Sequence, residues 1–229
     1  MSGFTDIHSH FIYGIDDGAQ TREIMEGMLD AAYKDNIRKL ISTPHVSPGM
    51  RPFELDTFKR HFCEAMDYCR SMGYDIELLV GAENLWTPAM PGYAERHGLI
   101  TLAGTKYVLI EFIPDAELDE IRYAVDFLSA RGYIPVIAHV ERYKNLPYRE
   151  AAKLDGEYEL YFQMNCGTVI RDKGFAAKRN AHKFLKSGLI AALACDAHNL
   201  DGRRFNMTEG YRTLKAQYGR EYADRLCKA

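Results

Sequence analysis

Short apolar runs recur along the chain at fairly even spacing, each ending in a turn signal or a polar residue. Seven of them read as buried strands, at residues 4–7, 39–42, 76–80, 107–110, 134–138, 160–164 and 189–194. Between them lie stretches with apolar spacings of three and four, the signature of amphipathic helices. Residues 21–36 place Ile24, Met25, Met28, Leu29 and Ala32 on one face, and residues 57–72 place Phe58, Phe62, Ala65, Met66 and Cys69 together. Residues 118–131 do the same with Ile121, Tyr123, Ala124, Val125 and Leu128, and residues 206–227 predict one long final helix. Thr21 before the first helix and Gly73 after the second fit ordinary helix starts and stops.

Alternating strands and helices predict a parallel sheet with helices packed outside it. Seven units in 229 residues predict a barrel slightly smaller than the eight-unit form, which takes about 250 residues. A doubly wound open sheet is the alternative. No Pro/Gly/Ser-rich linker or internal repeat divides the chain, so residues 1–229 are expected to form one domain.

The residue following each run changes this picture from a fold into a site. The first run leads into His8 and His10, the second into His45, the third into Glu83 and the fourth into Glu111. The fifth leads into His139, and the seventh into Asp196 and His198. All strand ends of a parallel barrel open onto its C-terminal rim, where active sites sit. Five of the eight histidines fall at these ends; His61, His97 and His182 lie in helical or loop stretches and are expected in solvent. For any one of these residues a strand-capping or core hydrogen-bonding role is an even alternative. Their placement together on one rim is not expected by chance. The sixth run alone brings no metal-type ligand, ending in Gln163-Met-Asn165.

Eight imidazole and carboxylate groups exceed what one ion accepts, so two or three divalent ions are expected, with manganese, iron, zinc or nickel suited to the donor set. Close-set ions of this kind acidify a shared water and neutralise charge on a phosphoryl or acyl group. Arg142 lies three residues after His139, and Arg203 and Arg204 lie just beyond His198. Loop arginines beside a metal rim grip phosphate oxygens in bidentate fashion; a surface ion pair with Glu141 or Asp201 is the plain alternative for each.

Charge and composition then exclude other classes. A net charge of −3 offers no overall basic field for nucleic acid. Apolar residues at 47% and charged residues at 27% are globular values. Five cysteines without a CxxC pair indicate neither a disulfide framework nor a zinc ribbon, and reduced thiols fit the cytoplasm. No run reaches the roughly 18 to 20 apolar residues that cross a bilayer, and the N-terminus lacks a signal-peptide pattern. A thiol phosphatase needs an arginine six positions after its cysteine. Those positions after Cys63, Cys69, Cys166 and Cys195 hold Cys69, Asp75, Asp172 and Asp201.

Taken together, DIHSHF and IDDGA near the start, STPH at 42–45, GAEN at 81–84, IEF at 110–112, AHVERY at 138–143, QMN at 163–165 and CDAHNLDGR at 195–203 span nearly the whole chain. The chain resembles the PHP (polymerase and histidinol phosphatase) superfamily, and more closely its CpsB/CapC-type bacterial manganese-dependent protein-tyrosine phosphatases. The resemblance implies a distorted (β/α)7 TIM-like barrel, a typically manganese trinuclear site, and hydrolysis of phosphotyrosine on a tyrosine autokinase that controls capsule or exopolysaccharide synthesis. It adds Asp17 as a ligand, a residue that by itself reads as part of a plain turn. It assigns His8, His10, Glu83 and Asp196 to one ion, Glu83, Glu111 and His139 to a second, and Asp17, His45 and His198 to a third. Arg142 and Arg203 match the family's phosphate-binding arginines. The chain departs from the family pattern at Cys195, where serine is usual, and at Ala229, where the family has a further C-terminal segment; a homo-oligomer stays open. Two other functions also stay open: a small-molecule phosphomonoesterase of the histidinol-phosphatase type, and a non-catalytic metal-binding regulator of polysaccharide assembly.

Overall fold

The computed structural model describes residues 3–170 and 175–228. Its strands are β1 (Phe4–Asp6), β2 (Ile37–Ser42), β3 (His45–Val46), β4 (Glu77–Val80), β5 (Glu83–Leu85), β6 (Tyr107–Glu111), β7 (Ile134–Ile137), β8 (Tyr161–Asn165) and β9 (Ile190–Ala194). Among the described residues they number nine rather than seven, because short further strands, β3 and β5, form just beyond the second and third runs. β2 and β3 are separated at Thr43-Pro44, where proline has no N–H to give the ladder. β4 and β5 are separated at Gly81-Ala82, and a Cβ at Gly81 would lie 2.9 Å from Ile41 Cγ2. Each break moves the chain from one sheet to another. β1, β2 and β4 form a three-stranded sheet, and β3, β5, β6, β7, β8 and β9 a six-stranded one, with every ladder parallel.

Backbone bonds stitch the two sheets into a ring. Gly81 N donates to Ser42 O at 2.8 Å and Glu83 N to Pro44 O at 3.1 Å, carrying the pairing across both breaks. Beyond β1, Thr43 N donates to Ser9 O, Asp196 N to His8 O and His10 N to Ala197 O, closing the ring between its first and last members. The result is the seven-stave, distorted parallel barrel, not the open sheet.

Alternation along the strands sorts residues between two cores. On β6, Val108 and Ile110 face the helical layer, while Leu109 packs inside the barrel with Ile41, Leu102, Val136 and Ala138. Glu111 continues the inward series and arrives at the rim. The surrounding helices include α1 (Arg22–Lys34), α2 (Leu55–Ser71), α3 (Met90–His97), α4 (Leu118–Ser129) and α5 (Tyr148–Glu157). The predicted faces hold, except that Met66 and Tyr123 point outward, at 37% and 57% exposure. Thr21 caps α1 by accepting from Ile24 N. After α6 (Cys166–Ile170) and α7 (Phe175–Ser187), the expected single final helix is two, α8 (Met207–Tyr218) and α9 (Arg220–Cys227). They meet at Gly219, whose φ of +90° breaks the helix. No helix among the described residues is long and apolar enough to cross a membrane.

Candidate metal centre

The rim collects its side chains through backbone devices that differ from strand to strand. After β1 the chain runs extended to His10. It is held by Ser9, whose N–H donates to Thr43 Oγ1 at 3.0 Å and whose hydroxyl donates to Ile41 O at 2.7 Å. With Ser9 pinned outward, His8 and His10 project to the other side, buried, with ring centroids 5.3 Å apart. Register sets the next group: His45 on β3 pairs with Glu83 on β5, and Leu85 on β5 pairs with Glu111 on β6. His139 and Asp196 follow β7 and β9 in left-handed conformations, with φ of 33° and 52°. Such a residue costs about 1–3 kcal/mol when it is not glycine, and persists where its surroundings dictate it. Here that turn aims each side chain back across the barrel mouth.

Glu83 is the hub. Its Oε2 lies 3.1 Å from His8 Nε2, 3.2 Å from His10 Nε2 and 3.2 Å from His45 Nδ1, and its Oε1 lies 2.8 Å from His139 Nε2. Asp196 Oδ1 stands 3.5 and 3.6 Å from His8 and His10 Nε2. Glu111 faces His139 Nε2 at 3.3 Å and His45 Nδ1 at 3.4 Å. Asp17 Oδ1 lies 3.3 Å from His45 Nε2 and 3.4 Å from His198 Nε2. Three groups have ligand atoms within 4.8 Å of one another: His8, His10, Glu83 and Asp196; His45, Glu83 and Glu111; and His10, Asp17, His45 and His198. The first is the set that the resemblance implies. The second holds His45, with His139 beside the same two carboxylates, and the third adds His10. All nine residues singled out in the sequence therefore meet at one rim, and neighbouring groups share Glu83, His10 and His45.

The electrostatics are set by buried imidazoles and carboxylates acting on one another. Burial alone would lower the pKa of His10 and His139, yet Asp16 and Glu83 around the first, and Glu111 and Glu83 around the second, raise both to about 9. His45 likewise overcomes its burial and rises to about 11 through Asp17, Glu111 and Glu83. His198 is lowered, chiefly by burial. Burial pushes Glu83 upward, but His8, His10 and His139 hold it well below the usual carboxylate range. Despite this crowding, the buried Nε2 atoms of His8, His10 and His198 make no hydrogen bond. A buried polar atom left unmade costs about 1–3 kcal/mol. Three lone pairs aimed among shared carboxylates fit divalent cations. Five carboxylates (Asp16, Asp17, Glu83, Glu111 and Asp196) against Arg142 and Arg203 leave an excess of three negative charges when the imidazoles are neutral.

Arg142 and Arg203 bracket the site. Arg142 Nη2 reaches Asp196 Oδ2 at 2.6 Å, and Arg203 Nη2 reaches Asp196 Oδ1 at 2.9 Å. Both guanidiniums are about two-fifths exposed, so each turns further donors toward solvent. Arg204 instead pairs with Glu209 at 3.7 Å and stays outside the cluster. His97 and His182 are exposed as expected, but His61 is not. It is buried, stacks on Tyr13 at 3.7 Å, and meets Tyr13 O through Nδ1.

Four supporting residues escaped sequence reasoning. Asp16 Oδ2 lies 2.7 Å from His10 Nδ1 and also accepts from His45 N. Gln163 Oε1 faces His8 Nδ1 at 3.2 Å and accepts from His139 N at 2.7 Å, while its Nε2 donates to Asn165 Oδ1. Asn165 in turn donates to Asp196 Oδ2 at 2.8 Å, and Tyr143 Oη lies 3.3 Å from His139 Nδ1. The Gln163-Met-Asn165 spacing carried a signal: period two puts both amides on the inner face of β8. Such partners fix ring orientation and tautomer, and their loss typically costs about 10–100-fold in metal affinity or activity. Asp16→Asn is accordingly expected to weaken manganese retention about tenfold or more, read by metal titration; unchanged affinity would deny Asp16 this role.

A parallel α/β barrel with a shared histidine–carboxylate cluster and paired arginines at its C-terminal rim defines the class: the metallohydrolase barrels. The model of the family "Capsular polysaccharide synthesis, CpsB/CapC" matches residues 4–229, and the chain belongs to that family. It is 30% identical over 227 residues to the tyrosine-protein phosphatase CpsB of Streptococcus agalactiae serotype III, covering 96% of this chain and 93% of that one. It is 34% identical over 230 residues to the tyrosine-protein phosphatase YwqE of Bacillus subtilis, covering 94% and 85%. The structure also superposes on one from a crystallographic study of YwqE from B. subtilis and CpsB from Streptococcus pneumoniae, described as unique metal-dependent tyrosine phosphatases. That match has a TM-score of 0.86 and 28% identity, and covers 96% of this chain and 89% of the other.

Proposed function

We propose that residues 1–229 form one metallophosphatase domain that hydrolyses phosphotyrosine on protein substrates. Its target would be a tyrosine autokinase controlling capsule or exopolysaccharide synthesis, in the cytoplasm. The observation that carries this is the pair of arginines set against a histidine–carboxylate cluster with unpartnered buried nitrogens. Two to three divalent ions, manganese first among them, would be held by His8, His10, Asp17, His45, Glu83, Glu111, His139, Asp196 and His198. Ions bound there supply Lewis acidity, acidifying water and neutralising charge that builds on a phosphoryl group.

The chain's own residues do the rest. Arg142 and Arg203 would clamp the nonbridging phosphoryl oxygens, each a planar donor fork suited to that shape. Asp196, held by both guanidiniums and by Asn165, keeps the two forks at a fixed separation. Among the described residues, neither the serine nor the cysteine beside the cluster is placed to attack phosphorus. Ser9 Oγ is committed to Ile41 O, and burial, with Cys166 beside it, pushes the Cys195 thiol well above its usual range. Water is then the nucleophile, and the less buried side of the cluster, where Asp17, His45 and Glu111 lie, is its entry and the substrate's. The tyrosine oxygen leaves as phenolate, whose conjugate acid has a pKa of about 10, so no general acid is required of the protein.

Rates on a phosphotyrosine peptide and on histidinol phosphate separate this function from its nearest rival. The peptide is expected to be hydrolysed with a kcat/KM at least about tenfold higher, a discrimination that contacts outside the phosphate readily provide. A preference for histidinol phosphate would make the protein a small-molecule phosphatase. Hydrolysis of neither would favour a metal-binding regulator.

A further inference from the structure

A cavity beside the rim takes no part in the chemistry above. It encloses about 460 Å³ and begins at Val46, one residue beyond His45, on the less buried side of the cluster. Its wall is the loop after β3, folded into a fixed shape. Met50 N and Arg51 N both donate to Ser47 O, and Gly49 takes φ +80°, where a Cβ would lie 3.1 Å from Ala89 Cβ. Thr87 Oγ1 donates to Pro48 O at 2.8 Å and ties the loop to the segment leading into α3. The cavity is therefore built on the rim rather than hung from it.

Its lining joins apolar surface from Val46, Met50, Phe53 and Tyr93 to two guanidiniums, Arg51 and Arg96, and includes no carboxylate. Met50 is 72% exposed, a large apolar side chain left at the mouth. Neither arginine has a carboxylate partner among the described residues, and the nearby Glu95 is taken by Arg131 at 3.1 Å. On a chain of net charge −3, an unneutralised cationic pair over an apolar floor is complementary to an anionic, partly apolar segment.

We propose that this cavity is the specificity subsite for acidic residues flanking the phosphotyrosine, so that the enzyme selects an extended acidic peptide. The proposal rests on the phosphatase function above. The phosphoryl group sits between Arg142, Arg203 and the cluster, and the peptide passes His45 to place a flanking Asp or Glu beside Arg51 and Arg96. Positioning of the flanking residues governs which phosphotyrosines are cleaved, while the reacting atoms meet none of these side chains.

The test compares three substrates with manganese-loaded wild-type protein and the R51E/R96E variant: p-nitrophenyl phosphate, a phosphotyrosine peptide with Asp and Glu flanks, and the same peptide with Lys flanks. The acidic peptide is expected to lose about tenfold in kcat/KM in the variant, mostly through KM, in keeping with two exposed ion pairs. The Lys-flanked peptide is expected to gain, and p-nitrophenyl phosphate to keep its wild-type rate. Equal changes for both peptides, or none, with p-nitrophenyl phosphate turnover intact, would overturn the subsite and leave the phosphatase function standing. Wild-type protein inert toward p-nitrophenyl phosphate would remove both.

Discussion

Glu83→Gln is expected to lower phosphotyrosine-peptide turnover on the order of 10³-fold, the top of the range for losing one preorganised contact with developing charge. Glu83 gathers four imidazoles of the rim: its two oxygens lie within 3.2 Å of His8, His10, His45 and His139. The substitution keeps the shape and β5's pairing with His45 and Leu109, but replaces a charged acceptor by an amide that is half donor. Two of the three candidate metal groups share Glu83, so one change should empty more than one position. Metal content by elemental analysis is expected to fall with the rate, while the far-ultraviolet circular dichroism stays that of the folded barrel. A folded variant retaining both full metal content and wild-type turnover would remove Glu83 from the centre.

Arg142→Ala is expected to cost about 10²-fold in kcat/KM and to leave the metal content unchanged. The separation follows from what each partner holds. Asp196 Oδ2 loses its 2.6 Å bond to Arg142 but keeps its 2.8 Å bond from Asn165, and Oδ1 keeps Arg203. The candidate ligand stays in place while one phosphate clamp disappears. Arg142→Lys should recover only part of the loss, since an ammonium is a point charge without the planar fork. Loss of metal together with rate in Arg142→Ala would show a structural role instead, and a near-wild-type rate would deny the clamp altogether.

What the sequence disclosed depended on how local each feature is. His8-Ser-His10 was legible because period two needs only three residues, and the other strand ends followed from apolar runs stopping at a polar ligand type. Asp16 was not: IDDGA reads locally as a turn. Its role appears only when Ala19 N pairs with His10 O and folds the loop back over the strand. That return needs Gly18, where a Cβ would lie 2.0 Å from His10 O, a clash no local pattern announces. The short strands β3 and β5 beyond Pro44 and Gly81 were likewise hidden, because two or three residues carry no period and the change of sheet is a three-dimensional event. Gly219 sits in an apolar pattern that continues on both sides, so periodicity carried the last helix through a residue that breaks it. His61 read as solvated because it lies in a helical stretch away from the strand ends; the partner it meets, Tyr13, stands 48 residues earlier. Apart from Asp17, which only the resemblance supplied, the metal-type residues were thus visible as types and positions, while their sharing of Glu83, His10 and His45 was a matter of distances.

Metal content and activity, followed together in one preparation, test the central claim most directly. The purified protein is assayed by elemental analysis and phosphotyrosine-peptide hydrolysis as isolated, after exhaustive chelation, and after Mn²⁺ is restored. Loss of activity in step with loss of metal, and its return with manganese, is the expected result. Full turnover by metal-free protein would contradict it.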